Sequence, residues 1–92
     1  MTVAFHLSII GKVQGVGFRA FVTCCAEARG LRGWVRNRRD GSVEALLIGE
    51  GDDVAAVVDE CRRGPGLARV DRVATLPAED DGTQDFTERP TV

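Results

Sequence analysis

The chain has 92 residues and a formal net charge of −2 at pH 7, which suits one domain with one modest hydrophobic core. No apolar stretch approaches the roughly 20 residues of a membrane helix, and the first basic residue is Lys12, too late for a signal peptide. We therefore expect a single domain over residues 1–92, in a cytoplasmic protein that is monomeric and does not associate with membranes.

Basic and acidic side chains are unevenly distributed along the chain. Residues 1–39 contain seven basic and one acidic side chain, whereas residues 40–92 contain five basic and thirteen acidic ones. One interpretation is that these are ordinary solvated faces. The other is a local positive potential that attracts a small anion, created by four arginines of the first half: Arg19, Arg36, Arg38 and Arg39.

The first two predicted elements are a strand and a helix. Val3 to Ile10 alternates apolar and polar residues, which is typical of a half-buried strand. Phe18 to Arg29 has apolar residues at helical spacing, and Gly30 is a natural C-terminal stop. The predicted buried stripe of this helix consists of Phe18, Phe21, Val22, Cys25 and Ala28.

A hairpin follows. Leu31 to Asn37 and Ser42 to Ile48 both read as strands. They are separated by a short turn in which Asp40-Gly41 is the turn signal. The two strands are therefore predicted to pair in antiparallel orientation.

The last third contains a helix and one or two strands. Asp52 to Arg63 is the second predicted helix, with acids at its start and arginines at its end, as the helix dipole favours. Arg69 to Leu76 is a fourth strand, and the acidic residues 78–84 are predicted to form a loose loop. Phe86 is surrounded by polar residues and predicts at most a short last strand.

The resulting order, β-α-β-β-α-β, predicts the fold class. It is typical of an α+β, ferredoxin-like sandwich in which an antiparallel sheet carries two helices on one face. No internal repeat or domain boundary interrupts it.

The most informative segment is Gly-Lys-Val-Gln-Gly-Val-Gly-Phe-Arg at residues 11–19. It joins the first strand to the first helix, so loop amides, the positive end of the helix dipole and the Arg19 guanidinium all point to one spot. That arrangement predicts an oxyanion site. The glycine spacing fits neither the dinucleotide fingerprint nor the nucleotide P-loop. The simpler alternative is a plain strand-to-helix turn.

The cysteines, the histidine and the tryptophan are of types that often have chemical roles, but here they are predicted to be structural. Cys24 and Cys25 are neighbours on a helix and cannot bridge each other, and Cys25 and Cys61 are interpreted as small buried hydrophobes. His6, the single histidine, is interpreted as a strand side chain without a chemical role. Trp34 is interpreted as a bulky strand residue that packs near the core.

Two segments together resemble the acylphosphatase family. The first runs from Ile10 to Arg19, and the second begins with Gly33-Trp34-Val35-Arg36-Asn37 and continues through Gly41, Val43 and Gly49. Both match the family's signature patterns throughout. Length and element order agree as well, so the resemblance covers nearly the whole chain.

The resemblance implies an activity and a set of site residues. The activity is hydrolysis of acyl phosphates to a carboxylate and inorganic phosphate, with no metal, no organic cofactor and no nucleic acid as partner. Arg19 corresponds to the phosphate-binding arginine and Asn37 to the asparagine that positions water. The phosphate loop corresponds to Gln14, Gly15, Val16, Gly17 and Phe18.

Two alternatives belong to other functional classes. Domains of this type also occur in hydrogenase-maturation carbamoyltransferases, so a module that binds or hydrolyses carbamoyl phosphate is one alternative. The other is an RNA-binding domain, because the RRM has the same element order. RNA binding is disfavoured because the third strand has no aromatic residue and the RRM signature pattern is absent.

Overall fold

The computed structural model describes residues 1–92 and arranges them as one five-stranded sheet with two helices. The strands are β1 (Thr2–Lys12), β2 (Arg32–Asn37), β3 (Val43–Glu50), β4 (Arg69–Pro77) and β5 (Phe86–Glu88). The helices are α1 (Phe18–Ala28) and α2 (Gly51–Arg63). The strand order across the sheet is β4-β1-β3-β2-β5, and the predicted ferredoxin-like class is confirmed.

The short last strand, which the sequence allowed at Phe86, differs from the other strands in its pairing. β1, β2, β3 and β4 pair in antiparallel orientation, but β5 pairs with β2 in parallel, with Val35 opposite Glu88. The sheet is therefore mixed, where a wholly antiparallel sheet was expected. Backbone bonds fix β5 in place, since Gly33 N donates to Asp85 O at 2.9 Å and Arg89 N donates to Val35 O at 2.8 Å.

The main core lies between the helices and one face of the sheet. Period-two alternation turns Leu7, Ile9 and Val35 toward the helices, together with the odd-numbered residues 43–47 of β3. On α1 the buried residues are Phe18, Val22 and Ala26, four residues apart. Ala28, predicted to be buried, is exposed, because a stripe that starts at Phe18 and repeats every four residues passes through Ala26 instead.

A second, smaller cluster covers the opposite face of the sheet, which we call the open face. It consists of Trp34, Leu46 and Ile48, with Ala78 packed against it. Trp34 is buried, as expected, but on this face and not in the main core, because its neighbour Val35 points to the helices.

Residues 78–84, which we call the docked segment, were predicted to form a loose loop but instead pack on the open face. Their acids contact basic β2: Asp80 pairs with Arg32, and Asp81 accepts a hydrogen bond from Trp34 Nε1 at 3.1 Å. Arg32 also donates to the carbonyl of Thr83 at 2.7 Å. The basic first half and the acidic second half of the chain therefore neutralise each other here, which gives the acidic segment a structural role.

Glu44 is the buried carboxylate of the open face, only 5% exposed. It accepts hydrogen bonds from His6 Nε2 and Arg36 Nε, both at 2.6 Å, and from Arg38 at 3.2 Å. Burial opposes ionisation of this carboxyl, but the hydrogen bonds from His6 and Arg36 outweigh it and hold the pKa of Glu44 below its ordinary value. Arg36 and Arg38 are thus engaged by Glu44 on this face.

Replacing Glu44 by Gln should destabilise the fold in a pH-dependent way. Because the pKa of Glu44 is lowered from 4.5, the carboxylate stabilises the fold above about that pH, and the contribution is lost as the pH falls through the lowered pKa. We expect Glu44→Gln to lose about 1–3 kcal/mol of unfolding free energy near neutral pH. Its difference from the wild type should shrink in acid.

Urea denaturation across the acid range measures this difference. Glu79→Gln, which neutralises an exposed acid of the docked segment, serves as the control and should stay within about 0.5 kcal/mol of the wild type. A Glu44→Gln deficit that stays constant from neutral pH into acid would contradict the proposed role of the charge.

Candidate active site

A small cavity lies where α1 begins and β2 ends. Its volume is about 160 Å³, well below the roughly 300–1,000 Å³ of pockets for drug-sized ligands. It is lined by Val13, Gly15, Gly17, Phe18, Arg19, Ala20, Asn37 and Glu88. Space of this size suits an anion such as phosphate, with the rest of a larger molecule outside.

Two glycines give the loop before α1 its shape. Gly15 and Gly17 have φ angles of 74° and 79°, a left-handed conformation that glycine adopts at little cost. A Cβ atom at either position would meet nothing within 4 Å, so the backbone angle and not crowding requires glycine here. The loop consequently presents bare backbone to the cavity.

The N-terminus of α1 supplies donors at the same place. Gly17 is the N-cap residue, and no side chain caps the helix. The first N–H groups of a helix have no partner within it, and they carry the positive end of the helix dipole. Phe18, buried in the main core, anchors this first turn, and Phe18, Arg19 and Ala20 of the turn line the cavity.

Gln14 and Val16 belong to the predicted phosphate loop, but their side chains point elsewhere. Gln14 Nε2 donates to the carbonyls of Arg38 at 2.6 Å and Ser42 at 2.8 Å, which ties the loop to the turn between β2 and β3. Val16 packs against the main core. The side chains of both residues therefore hold the loop in place without lining the cavity.

Arg19 and Asn37 come from different elements and line the same cavity. Arg19 is the second residue of α1, half-buried, and takes part in none of the salt bridges of the chain. Asn37 is the last residue of β2, and its carbonyl accepts a hydrogen bond from Val92 N at 3.2 Å. Thus α1 and β2 place an arginine and an asparagine at the same small cavity.

Sequence reasoning missed Glu88, which contributes the acidic side chain of the cavity. Phe86 is buried in the main core, so Glu88, two residues further along the strand, also faces the helices. The two-residue spacing from Phe86 to Glu88 is visible in the sequence. It indicates that Glu88 lies near Asn37 only once β5 is known to pair with β2. The predicted basic group around the site is smaller than expected, because Arg36 and Arg38 face the open side and pair with Glu44.

The cysteines lie away from this cavity. Burial, followed by a hydrogen bond to Glu60, raises the pKa of Cys25 to about 11, and burial raises the pKa of Cys61 to about 12. Both thiols are therefore protonated near neutral pH and are poor nucleophiles. Cys61 is buried, as predicted, and Cys25 is half-buried and donates to Glu60 at 3.3 Å.

A second cavity, of about 240 Å³, lies between α2 and the strands β1 and β4. Its lining is mostly apolar: Phe5, Gly51, Val54, Ala55, Val58, Arg62 and Thr75. Although it is larger, it contains one charged side chain and none of the residues of the two signature segments. The smaller cavity, which is lined by the glycine loop, the first turn of α1, Arg19 and Asn37, is the site suited to an anion.

Comparison with known proteins agrees with the geometry. The family model described as Acylphosphatase matches residues 5–88. The curated acylphosphatase of Rhodopseudomonas palustris (strain BisB5) is 54% identical over 76 residues, which are 83% of this chain and 77% of that protein. The chain therefore belongs to the acylphosphatase family of hydrolases.

Solved structures give the same result at the level of the fold. The acylphosphatase from Coxiella burnetii matches with a TM-score of 0.92 and 35% identity, over 96% of this chain and 93% of that one. Full-length HypF, solved in a phosphate- and nucleotide-bound form, matches with a TM-score of 0.92 and 31% identity, over 99% of this chain and 12% of that one.

Neither α1 nor α2 has the length and hydrophobicity of a membrane-crossing helix.

Proposed function

We propose that this chain hydrolyses acyl phosphates to a carboxylate and inorganic phosphate by direct attack of water on a bound phosphoryl group. The observation that carries the proposal is the meeting of Arg19, the glycine loop and Asn37 at one small cavity. The family shown by the comparisons supports the same reaction. A cytoplasmic location, a monomeric state and a single domain over residues 1–92 stay predictions from the sequence.

Arg19 and the loop bind the phosphoryl group in this proposal. The guanidinium is planar and presents two parallel N–H donors, which match two phosphoryl oxygens. Backbone N–H groups of residues 15–19 donate to the same group, and the glycines at 15 and 17 let it come close to the main chain. The backbone donors are held by the loop and by α1 before the substrate arrives, so little reorganisation of the main chain accompanies the reaction.

Asn37 positions the water. Its carboxamide has both an acceptor and donors for hydrogen bonds, but it is not a base, so its contribution is orientation and not proton abstraction. The water oxygen bonds to phosphorus as the bond to the acyl oxygen breaks, the carboxylate leaves with the electron pair, and both protons of the water end on oxygens of the phosphate product, as H2PO4−. In-line geometry places the leaving group on the side of phosphorus opposite Asn37.

The leaving group explains why so few residues suffice. A carboxylate has a conjugate-acid pKa of about 4, so it departs without being protonated. No general acid is required, and positioning with charge stabilisation accounts for the chemistry. Histidine and cysteine side chains are accordingly not part of the mechanism.

Removing the Asn37 carboxamide should separate turnover from phosphate binding. We expect Asn37→Ala to lower kcat for benzoyl phosphate by about 100- to 1,000-fold, because the water loses its orientation. The inhibition constant for inorganic phosphate should change by less than about threefold, since its ligands are Arg19 and the loop amides. A continuous assay of benzoyl phosphate hydrolysis with EDTA present measures both quantities.

Gln84→Ala is the matched control for this experiment, because it also removes a side-chain amide but at a position outside the cavity. Gln84 lies in the docked segment, where its Nε2 donates to Gly82 O at 2.9 Å. It should retain wild-type turnover. Near-normal turnover by Asn37→Ala would instead refute the water-positioning role. Wild-type activity that disappears with EDTA would refute the cofactor-free mechanism.

The carbamoyl phosphate alternative is tested with the same assay. The structural match to a 12% portion of HypF shows that this fold also occurs inside a much longer chain. Comparable or better turnover of acetyl phosphate than of carbamoyl phosphate supports the general acylphosphatase. A strong preference for carbamoyl phosphate favours the specialised module.

A further inference from the structure

Glu88 is the acidic side chain of a cavity that otherwise suits anions, and the proposed reaction does not use it. It shares the lining with Arg19, the one basic side chain there. Glu88 is exposed and takes part in none of the salt bridges of the chain. No basic side chain forms a salt bridge with the Glu88 carboxylate, so its electrostatic field acts on a ligand bound in the cavity.

The sheet register places Glu88 on the Asn37 side of the cavity. Val35 and Glu88 are directly opposite each other in the parallel pairing of β2 with β5. Asn37 follows Val35 by two residues and lies on the same face of the sheet. Glu88 and Asn37 are thus diagonal neighbours on adjacent strands, and both residues line the cavity.

This position matters because substrate and product differ there. In the substrate complex the space beside Asn37 holds a neutral water, which can donate a hydrogen bond to the Glu88 carboxylate. After the attack and the loss of the water's protons to other phosphate oxygens or to solvent, the same space holds the fourth oxygen of inorganic phosphate, which shares the negative charge of the anion. A fixed carboxylate favours the first occupant and repels the second.

We propose that Glu88 is a product-release determinant: its carboxylate selectively weakens binding of inorganic phosphate relative to the acyl phosphate substrate. The proposal rests on the proposed function, because it needs Asn37 to mark the side from which water attacks. It assigns a role to a residue outside the two signature segments. The role is electrostatic discrimination between two ligands of one site.

The test compares two constants in one variant. We expect Glu88→Gln to lower the inhibition constant for inorganic phosphate by about 5- to 30-fold, as the repulsion between neighbouring charges is removed. The KM for benzoyl phosphate should change by less than about threefold, so the ratio of KM to the inhibition constant rises. Glu88→Asp keeps the charge and should stay closer to the wild-type ratio than Glu88→Gln does.

Glu27→Gln is the matched control. Glu27 is exposed near the far end of α1, about 12 Å along the helix from Arg19 at a rise of roughly 1.5 Å per residue. The Glu27→Gln substitution removes one negative charge from the molecule but none from the cavity. The KM for benzoyl phosphate and the inhibition constant for inorganic phosphate should therefore stay at their wild-type values.

The outcomes separate this inference from the proposed function. Benzoyl phosphate hydrolysis by the wild type, with KM and the inhibition constant falling in parallel in Glu88→Gln, overturns the role of Glu88 alone. An unchanged inhibition constant for phosphate overturns it too. Failure of the wild type to hydrolyse any acyl phosphate overturns the proposed function, and the inference with it.

Discussion

Arg19→Gln should lose acyl phosphate hydrolysis by about 1,000-fold or more and bind inorganic phosphate more weakly. One donor directed at developing charge is worth about 100- to 1,000-fold in rate, and Arg19 supplies two donors and the charge. Gln retains a single amide and no charge. The loss should therefore appear both in kcat and in the inhibition constant for phosphate, unlike the loss in Asn37→Ala, which is confined to kcat.

Two further variants sharpen the Arg19 experiment. Arg19→Lys keeps the charge without the planar fork, so activity well below wild type would show that two parallel bonds are needed. Arg72→Gln removes an exposed arginine on β4, outside the salt bridges and the small cavity, and should leave the kinetics unchanged. Substantial hydrolysis by Arg19→Gln would refute the proposed site. Urea denaturation checks that the variant is folded.

Gly33→Ala should have the largest effect on stability. The φ angle of Gly33 is 131°, and a Cβ atom there would lie 1.9 Å from the carbonyl oxygen of Leu46 on β3. The neighbouring atom belongs to the main chain of a paired strand, which cannot move aside cheaply. Strained backbone and overpacking each cost about 1–3 kcal/mol, so we expect a loss of roughly 3 kcal/mol or more.

A loss of that size is a large share of the total stability, which is about 5–15 kcal/mol for a domain. Gly30→Ala is the control, since Gly30 has a φ of 69° and a Cβ atom there would meet nothing within 4 Å. It should lose only about 1 kcal/mol, from the backbone angle alone. Equal losses in the two variants, measured by urea denaturation, would show that the close approach to Leu46 contributes nothing.

The elements with regular periodicity were predictable from the sequence. β1, α1, the hairpin and α2 differ from their predicted bounds by only one or two residues. The last strand was not predictable in the same way, because Thr87 and Glu88 are polar and β5 is held by backbone bonds to β2. Similarly, the alternation of β3 marks Glu44 as a polar position but does not identify His6, Arg36 and Arg38 as its partners.

The candidate site shows the same division. The spacing of Gly15, Gly17 and Arg19 indicated an anion site directly, because loop and helix are adjacent in sequence. Asn37 entered through the resemblance of a second segment, since its distance from Arg19 depends on how β2 packs beside α1. Glu88 requires a parallel pairing between β2 and β5, which are far apart in the sequence, and no local pattern encodes that pairing.

Trp34 gives the protein a built-in optical reporter. The chain has one tryptophan and no tyrosine, so the emission of this single indole dominates the intrinsic fluorescence. Its ring lies under the guanidinium groups of Arg36 and Arg89, at 4.6 and 5.0 Å, and its N–H is bonded to Asp81. Fluorescence therefore monitors how the docked segment, residues 78–84, packs on the open face, whereas ligand binding in the cavity on the other face of the sheet should change the indole emission little.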